Sequence, residues 1–89
     1  PKVFSLRKSH EILLRLKFDP AYTFEKAVIC YTDRGAPGDT SCVVGEEITE
    51  LAGYYFESRR EGAVKRIPYH RIKRITYEGR VLWEAATRR

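Results

Sequence analysis

The chain has 89 residues, of which 43% are hydrophobic and 33% charged, and its formal net charge is +5. This balance predicts one globular domain with a modest core and excludes a disordered chain. No apolar run approaches the ~20 residues of a membrane-spanning helix, and no signal peptide is recognisable. We therefore expect a single cytoplasmic domain over 1–89 with no membrane partner, its core at about 9–84 and both termini frayed.

The net charge is unevenly distributed. Residues 1–18 carry five Lys or Arg against one acidic residue, residues 19–60 carry four against eight, and residues 61–89 carry eight against three. If the two basic ends meet in space, they form one positive face that attracts polyanions in a salt-sensitive way. A solvated basic face without a partner is the alternative.

One helix is predicted, from Ser9 to Phe18. Ser9 is a favourable N-cap, and Glu11 places a negative charge in the first turn, where the helix dipole favours it. Leu13 and Leu16 share one apolar face. We expect Phe18 to enter the core at the end of this helix.

Most of the remaining chain has the short apolar and alternating runs of β-strands. The β-branched run 27–32 predicts a buried central strand, and Glu78-Gly79 is a hairpin-turn signal. Further strands are predicted at 41–44, 51–58, 63–67, 71–78 and 80–84, with a helical turn or bend at 45–50 and turns at 33–39 and 59–62. The fold class is therefore α+β, with one N-terminal helix packed on a small, mostly antiparallel β-sheet.

Cys30 and Cys42 are too few for a disulfide framework and match no zinc-site spacing. We expect them to be reduced, half-buried strand residues. The alternative is a cross-strand disulfide, which requires that the two cysteines face each other across a hairpin closed by the loop between them.

A basic segment from Lys65 to Arg74 contains no acidic residue and includes Pro68, which restricts its own φ and disfavours helix in the residue before it. Isoleucines at 67, 72 and 75 can anchor this segment. Tyr69, His70 and Arg71 would then project a ring, a proton-transfer group and a planar cation, which suits a phosphate or a nucleic-acid end. An ordinary surface turn is the competing interpretation.

Two other features suit a polyanion. In the loop after the central strand, the Gly35 N–H and the Arg34 guanidinium could bind an oxyanion, although a plain turn explains the same sequence. Several tyrosines stand among basic residues, as in proteins that stack nucleic-acid bases, although strand tyrosines more often pack in a core. These are Tyr31, Tyr54, Tyr55, Tyr69 and Tyr77.

Catalysis has less support. His10 and His70 could form an acid–base pair that cleaves RNA through a cyclic phosphate. No nucleophile motif, phosphate-binding Gly-rich loop or metal-ligand cluster is recognisable, so we expect no metal or other cofactor.

Four motifs in this order resemble the RNA cyclic group end recognition domain family, over 9–84 of the chain. The motifs are Ser-His-Glu-Ile-Leu-Leu-Arg-Leu-Lys-Phe at 9–18, Tyr-Thr-Asp-Arg-Gly-Ala-Pro-Gly-Asp at 31–39, Ile-Pro-Tyr-His-Arg-Ile at 67–72 and Gly-Arg-Val-Leu-Trp-Glu at 79–84. Phe18 and Asp33 depart from the Trp and His that the resemblance leads us to expect. An acid at 33 would weaken a phosphate site unless it orients Arg34 or His70.

The resemblance implies a non-catalytic module that recognises single-stranded RNA 3′ ends, with 2′,3′-cyclic phosphate as the expected group, in RNA processing or repair. The site residues it implies are His70, Arg71, Arg34 and Gly35, to which the residue chemistry adds Tyr69 and Tyr31 as stacking rings. RNA and RNA-processing proteins are the expected partners. An adapter that docks its basic ends on an acidic protein is the alternative.

Overall fold

The computed structural model describes the backbone of residues 4–85 and the side chains of residues 8–85. It contains one helix, α1 (Phe4–Phe18), and seven strands. The strands are β1 (Ala27–Thr32), β2 (Thr40–Val44), β3 (Ile48–Leu51), β4 (Tyr55–Arg60), β5 (Ala63–Pro68), β6 (Ile72–Tyr77) and β7 (Arg80–Glu84). The predicted α+β class is confirmed. The frayed N-terminal segment expected at 1–8 is wrong for residues 4–8, which belong to α1. Residues 1–3 and 86–89 lie outside the described part of the chain.

The strands form two sheets rather than the single sheet expected. The first has the order β2-β1-β6-β7 and the second the order β3-β4-β5, and every pairing is antiparallel. The second sheet is an insertion in the chain between β2 and β6. As predicted, β1 is a buried central strand, since it pairs with β2 on one side and with β6 on the other.

Two-residue turns close two of the hairpins. Glu61-Gly62 joins β4 to β5, and Glu78-Gly79 joins β6 to β7. All four residues have positive φ, from 50° at Glu78 to 85° at Gly62, as the twist of a two-residue hairpin requires. The predicted 78–79 turn is therefore confirmed, whereas the turn expected at 59–62 is only these two residues.

The N-terminal helix differs from the prediction at both ends. It begins at Phe4, so Ser9 is an interior position and not the N-cap. Ser9 is fully buried together with Leu13 and Leu16, at the i, i+4, i+7 spacing of one helix face. Phe18 is 74% exposed, so its expected place in the core was wrong, and Phe24 is the buried phenylalanine that follows the helix.

The predicted strand at 51–58 contains a chain reversal. β3 ends at Leu51 and β4 begins at Tyr55, and an Ala52 N–H to Tyr55 O bond of 2.9 Å closes the turn between them. The strand expected there covers the end of β3 and most of β4. Of the helical turn or bend expected at 45–50, only Gly45–Glu47 forms a 3₁₀ turn.

The expectation that the cysteines are reduced is also wrong. Cys30 of β1 and Cys42 of β2 are direct cross-strand partners, and their sulfur atoms form a disulfide. The register of the hairpin, set by the loop at 33–39, brings the two side chains face to face. This is the condition under which the sequence allowed a cross-strand disulfide.

Candidate functional site

A 3₁₀ turn at Tyr69–Arg71 connects the last strand of the second sheet to β6 of the first, and α1 packs against it. Ile67, Ile72 and Ile75 are all buried, so the anchoring role predicted for these isoleucines is confirmed. Residues 70 and 71 are exposed. The fold therefore presents a histidine and an arginine on a short turn that is held from both sides.

Tyr69 does not project from this turn as predicted, because its side chain is only 5% exposed. Its hydroxyl donates to the Ala52 carbonyl at 2.6 Å, and its ring stacks on His10 with centroids 4.2 Å apart and planes inclined by 15°. The Tyr69 N–H donates to the Tyr54 carbonyl at 3.2 Å. Tyr69 thus fastens the turn to α1 and to the reversal between β3 and β4.

Burial raises the pKa of Tyr69 to about 12, with a smaller contribution from the negative charge of Glu50. We expect phenolate absorbance to show one tyrosine ionising about two pH units above an ordinary tyrosine. Because the pKa of Tyr69 is higher in the folded than in the unfolded protein, the group adds to the free energy of unfolding. This contribution is complete below pH ~10 and is lost between pH ~10 and ~12. The variant Tyr69→Phe should lack the late step. If wild type and variant titrate alike, this assignment is wrong.

A groove of about 340 Å³ lies on one side of the turn. We call it the basic groove, because three cations line it. Its lining residues are Tyr31, Thr32, Asp33, Lys65, Arg66, Ile67, Pro68 and Arg71. The first three come from β1 and the residue after it and most of the others from β5, so the groove lies between the two sheets.

The three cations of the basic groove differ in what holds them. Lys65 Nζ lies 3.3 Å from Asp33 Oδ2 and 5.8 Å from the centroid of the Tyr31 ring. Arg66 Nε pairs with Glu57 at 3.2 Å. Arg71 makes no hydrogen bond or ion pair with any residue that the structure describes. Its guanidinium is therefore the cation most available to a ligand.

Asp33 is an anion inside this groove. The Ser41 hydroxyl donates to its Oδ2 at 2.6 Å, and this bond, followed by the bond from Lys65 and the charges of Lys65 and Arg71, lowers the pKa of Asp33. Asp33 holds Lys65, and neither Arg34 nor His70 is its partner as the sequence had suggested. The carboxylate offsets one of the three positive charges.

Arg34 and Gly35 line neither of the two cavities that flank the turn. Gly35 has φ +95°, and its N–H donates to Asp39 Oδ1 at 3.2 Å, so the amide that was expected to bind an oxyanion already bonds to a carboxylate. Arg34 is exposed and lines neither the basic groove nor the cavity on the other side. The role proposed for these two residues from the resemblance stays a prediction.

A cavity of about 420 Å³ lies on the other side of the turn. We call it the aromatic cavity, and it is lined by His10, Gly53, Tyr54, Tyr55, Pro68, Tyr69 and His70. It brings together the two histidines, from α1 and from the turn. Of the rings that were expected to stack RNA, Tyr31 is 4% exposed and Tyr69 is 5% exposed, whereas Tyr54 is 88% exposed.

Thus the structure divides the predicted site residues. Arg71 and Tyr31 line the basic groove, His70 and Tyr69 line the aromatic cavity, and Pro68 lines both. Sequence reasoning missed Lys65 and Arg66 as groove residues, although both stand in the basic segment it had singled out. Within residues 8–85, no group of three or more His, Cys, Asp or Glu side chains could hold a metal ion. No described helix is long and apolar enough to cross a membrane.

A combination of one helix, two antiparallel sheets and an exposed His-Arg turn defines a small α+β domain with a basic groove. The sequence model of the family described as MJ1316 RNA cyclic group end recognition domain matches residues 6–85. The chain therefore belongs to that family. This confirms the resemblance drawn from the four motifs.

Several archaeal proteins that share the name UPF0248 are similar to this chain. A UPF0248 protein of Thermococcus onnurineus is 37% identical over 75 residues, which are 83% of this chain and 80% of the relative. A UPF0248 protein of Pyrococcus furiosus is 34% identical over 79 residues, which are 88% of each chain. No solved structure matches significantly.

Proposed function

We propose that this domain binds RNA 3′ ends and prefers those that carry a 2′,3′-cyclic phosphate. The observation that carries the proposal is the exposed Arg71 guanidinium beside Lys65 in the basic groove, which makes no hydrogen bond or ion pair with a described residue. The family to which the domain belongs is named for recognition of RNA ends with a cyclic group. A guanidinium can donate two parallel hydrogen bonds to one phosphate. A cyclic phosphate monoanion needs few other donors.

The charge balance of the groove supports an anionic end group. Lys65, Arg66 and Arg71 face one carboxylate in the groove, Asp33, and Arg66 is also paired with Glu57 just outside it. An open phosphate monoester carries more negative charge than a cyclic one at neutral pH. Because the cations of the groove outnumber these carboxylates, charge alone attracts an open phosphate monoester more strongly than a cyclic one. The proposed preference for the cyclic end therefore rests on the donor geometry of Arg71 and on the family, and not on charge.

The direct test is a titration with one single-stranded RNA prepared with three 3′ ends: cyclic phosphate, open phosphate and hydroxyl. Anisotropy of a 5′-labelled RNA at two salt concentrations gives the affinities. We expect tightest binding to the cyclic end, and a preference that survives added salt while overall affinity falls. Equal affinities that decline together with salt would overturn the proposal and favour the protein adapter with a merely basic surface.

A phosphoesterase is the second candidate, because His10 and His70 line one cavity. An acid–base pair of imidazoles could open a cyclic phosphate with water. RNA recovered from each titration and separated by its end group distinguishes the two functions. An unchanged cyclic end supports a binding module, whereas time-dependent ring opening that is lost in His70→Ala supports an enzyme.

A further inference from the structure

The aromatic cavity has a composition that an anion site does not need. Five of its seven lining residues are tyrosines or histidines. They come from α1, from the β3–β4 reversal, from the start of β4 and from the turn. We propose that this cavity receives the nucleobase of the RNA's terminal nucleotide, stacked on Tyr54. This inference rests on the proposed function, because the phosphate of that nucleotide is assigned to the basic groove.

Tyr54 is exposed on a fixed backbone. The reversal that carries it is closed by the bond from Ala52 N–H to Tyr55 O, and both ends of Tyr69 bond to it, through the Tyr54 and Ala52 carbonyls. The Tyr54 side chain makes no ring contact or hydrogen bond with the described residues and is 88% exposed. A large exposed ring on a backbone held by these bonds offers a surface for stacking, and only the rotamers of its own side chain remain to be fixed on binding.

The interior of the cavity can read the edge of a base. His10 lies flat against Tyr69, and His70 lines the cavity from the turn. A neutral imidazole has one hydrogen-bond donor and one acceptor, so the two rings offer both kinds of group to a base edge. Gly53 leaves room beside them, because no atom outside its chain neighbours lies within 4 Å of the position that a Cβ would occupy.

The two sites are adjacent across one short turn. Pro68 lines both, His70 faces the aromatic cavity, and Arg71 faces the basic groove. A terminal nucleotide has the same division, with an uncharged aromatic base on one side of its ribose and an anionic phosphate on the other. The turn therefore separates base from phosphate, and neither of the buried tyrosines first considered for stacking is needed.

The test compares two RNAs that end in the same ribose 2′,3′-cyclic phosphate, one with its terminal base and one abasic. Each is titrated with wild type, Tyr54→Ala, Tyr54→Phe and Phe18→Ala. The last is a matched control, because Phe18 is also an exposed ring but lines a different cavity. We expect Tyr54→Ala to weaken binding of the base-bearing RNA by about 5- to 150-fold, the range for one stacked base.

Phe18→Ala should stay within about twofold of wild type, since substitution of an exposed residue outside the contact changes little. Tyr54→Phe should recover most of the binding that Tyr54→Ala loses, because it keeps the ring on which the base stacks. Abasic RNA should bind wild type and Tyr54→Ala equally. If wild type prefers the cyclic end but does not distinguish base-bearing from abasic RNA, the base site is wrong and the proposed function stands. If Tyr54 matters without any end preference, the base site stands and end recognition fails.

Discussion

Reduction of the Cys30–Cys42 disulfide should lower the melting temperature of this domain by roughly 12–24 °C. The bond closes a loop between residues 12 apart. Closing a loop of that size lowers the conformational entropy of the unfolded chain and so raises its free energy by about 3 kcal/mol. In a domain of this size, each kcal/mol shifts the melting temperature by about 4–8 °C. The affected hairpin includes β1, which is paired on both sides, so its loosening should be transmitted to the whole first sheet.

Thermal unfolding followed by circular dichroism, with and without dithiothreitol, measures this shift. The double variant Cys30→Ala, Cys42→Ala is the control, because it should melt at one temperature in both buffers, near that of the reduced wild type. Equal melting temperatures for oxidised and reduced wild type would contradict the expectation. Since Cys42 is exposed, dithiothreitol can reach the bond in the folded protein.

The second large effect is expected at Arg71. The variant Arg71→Ala should weaken binding of RNA with a cyclic phosphate end by roughly 10- to 150-fold for each hydrogen bond lost, because one hydrogen bond to a charged group contributes about 1.5–3 kcal/mol. Arg71→Lys should recover only part of the loss, since an ammonium group cannot donate the two parallel bonds of a guanidinium. Folding should be preserved, because the side chain is exposed and unpaired within the described part of the chain.

Two arginines serve as comparisons for this measurement. Arg34→Ala tests the role that the family resemblance implies, although Arg34 lies outside the groove, and we expect no more than about a threefold change that disappears in high salt. Arg80→Ala removes another exposed cation, from β7. If all three alanine variants lose affinity equally, the protein has a diffuse basic surface, and Arg71 has no special place in it.

The parts of the fold that were predicted correctly are those in which local chemistry is decisive. β1 is rich in apolar and β-branched residues, and Glu78-Gly79 can adopt the positive φ values of a two-residue turn. The errors arose where tertiary packing outweighs local preference. Ser9 has the chemistry of an N-cap but is small enough to be buried in a helix face, and Phe18 is apolar but falls on the exposed side.

The site was harder to predict because its residues are distant in sequence. The basic segment containing His70 and Arg71 was recognisable, yet the groove also needs Tyr31 and Asp33 from the other sheet. Whether a tyrosine stacks a ligand or packs in a core depends on whether other elements of the fold cover its side chain. That coverage is set by the insertion of the second sheet, which buries Tyr31 and Tyr69 and leaves Tyr54 in water. Similarly, the disulfide depended on a hairpin register that no local signal specifies.

The ion pair between Lys65 and Asp33 joins the two sheets across the floor of the basic groove. The distance between the two walls of the groove therefore depends on how the two sheets are packed against each other. The two walls of the groove belong to different sheets, and the largely exposed Lys65–Asp33 pair is a weak link between them. A ligand that contacts both walls would hold the two sheets at one spacing, so ligand binding should make the domain more rigid.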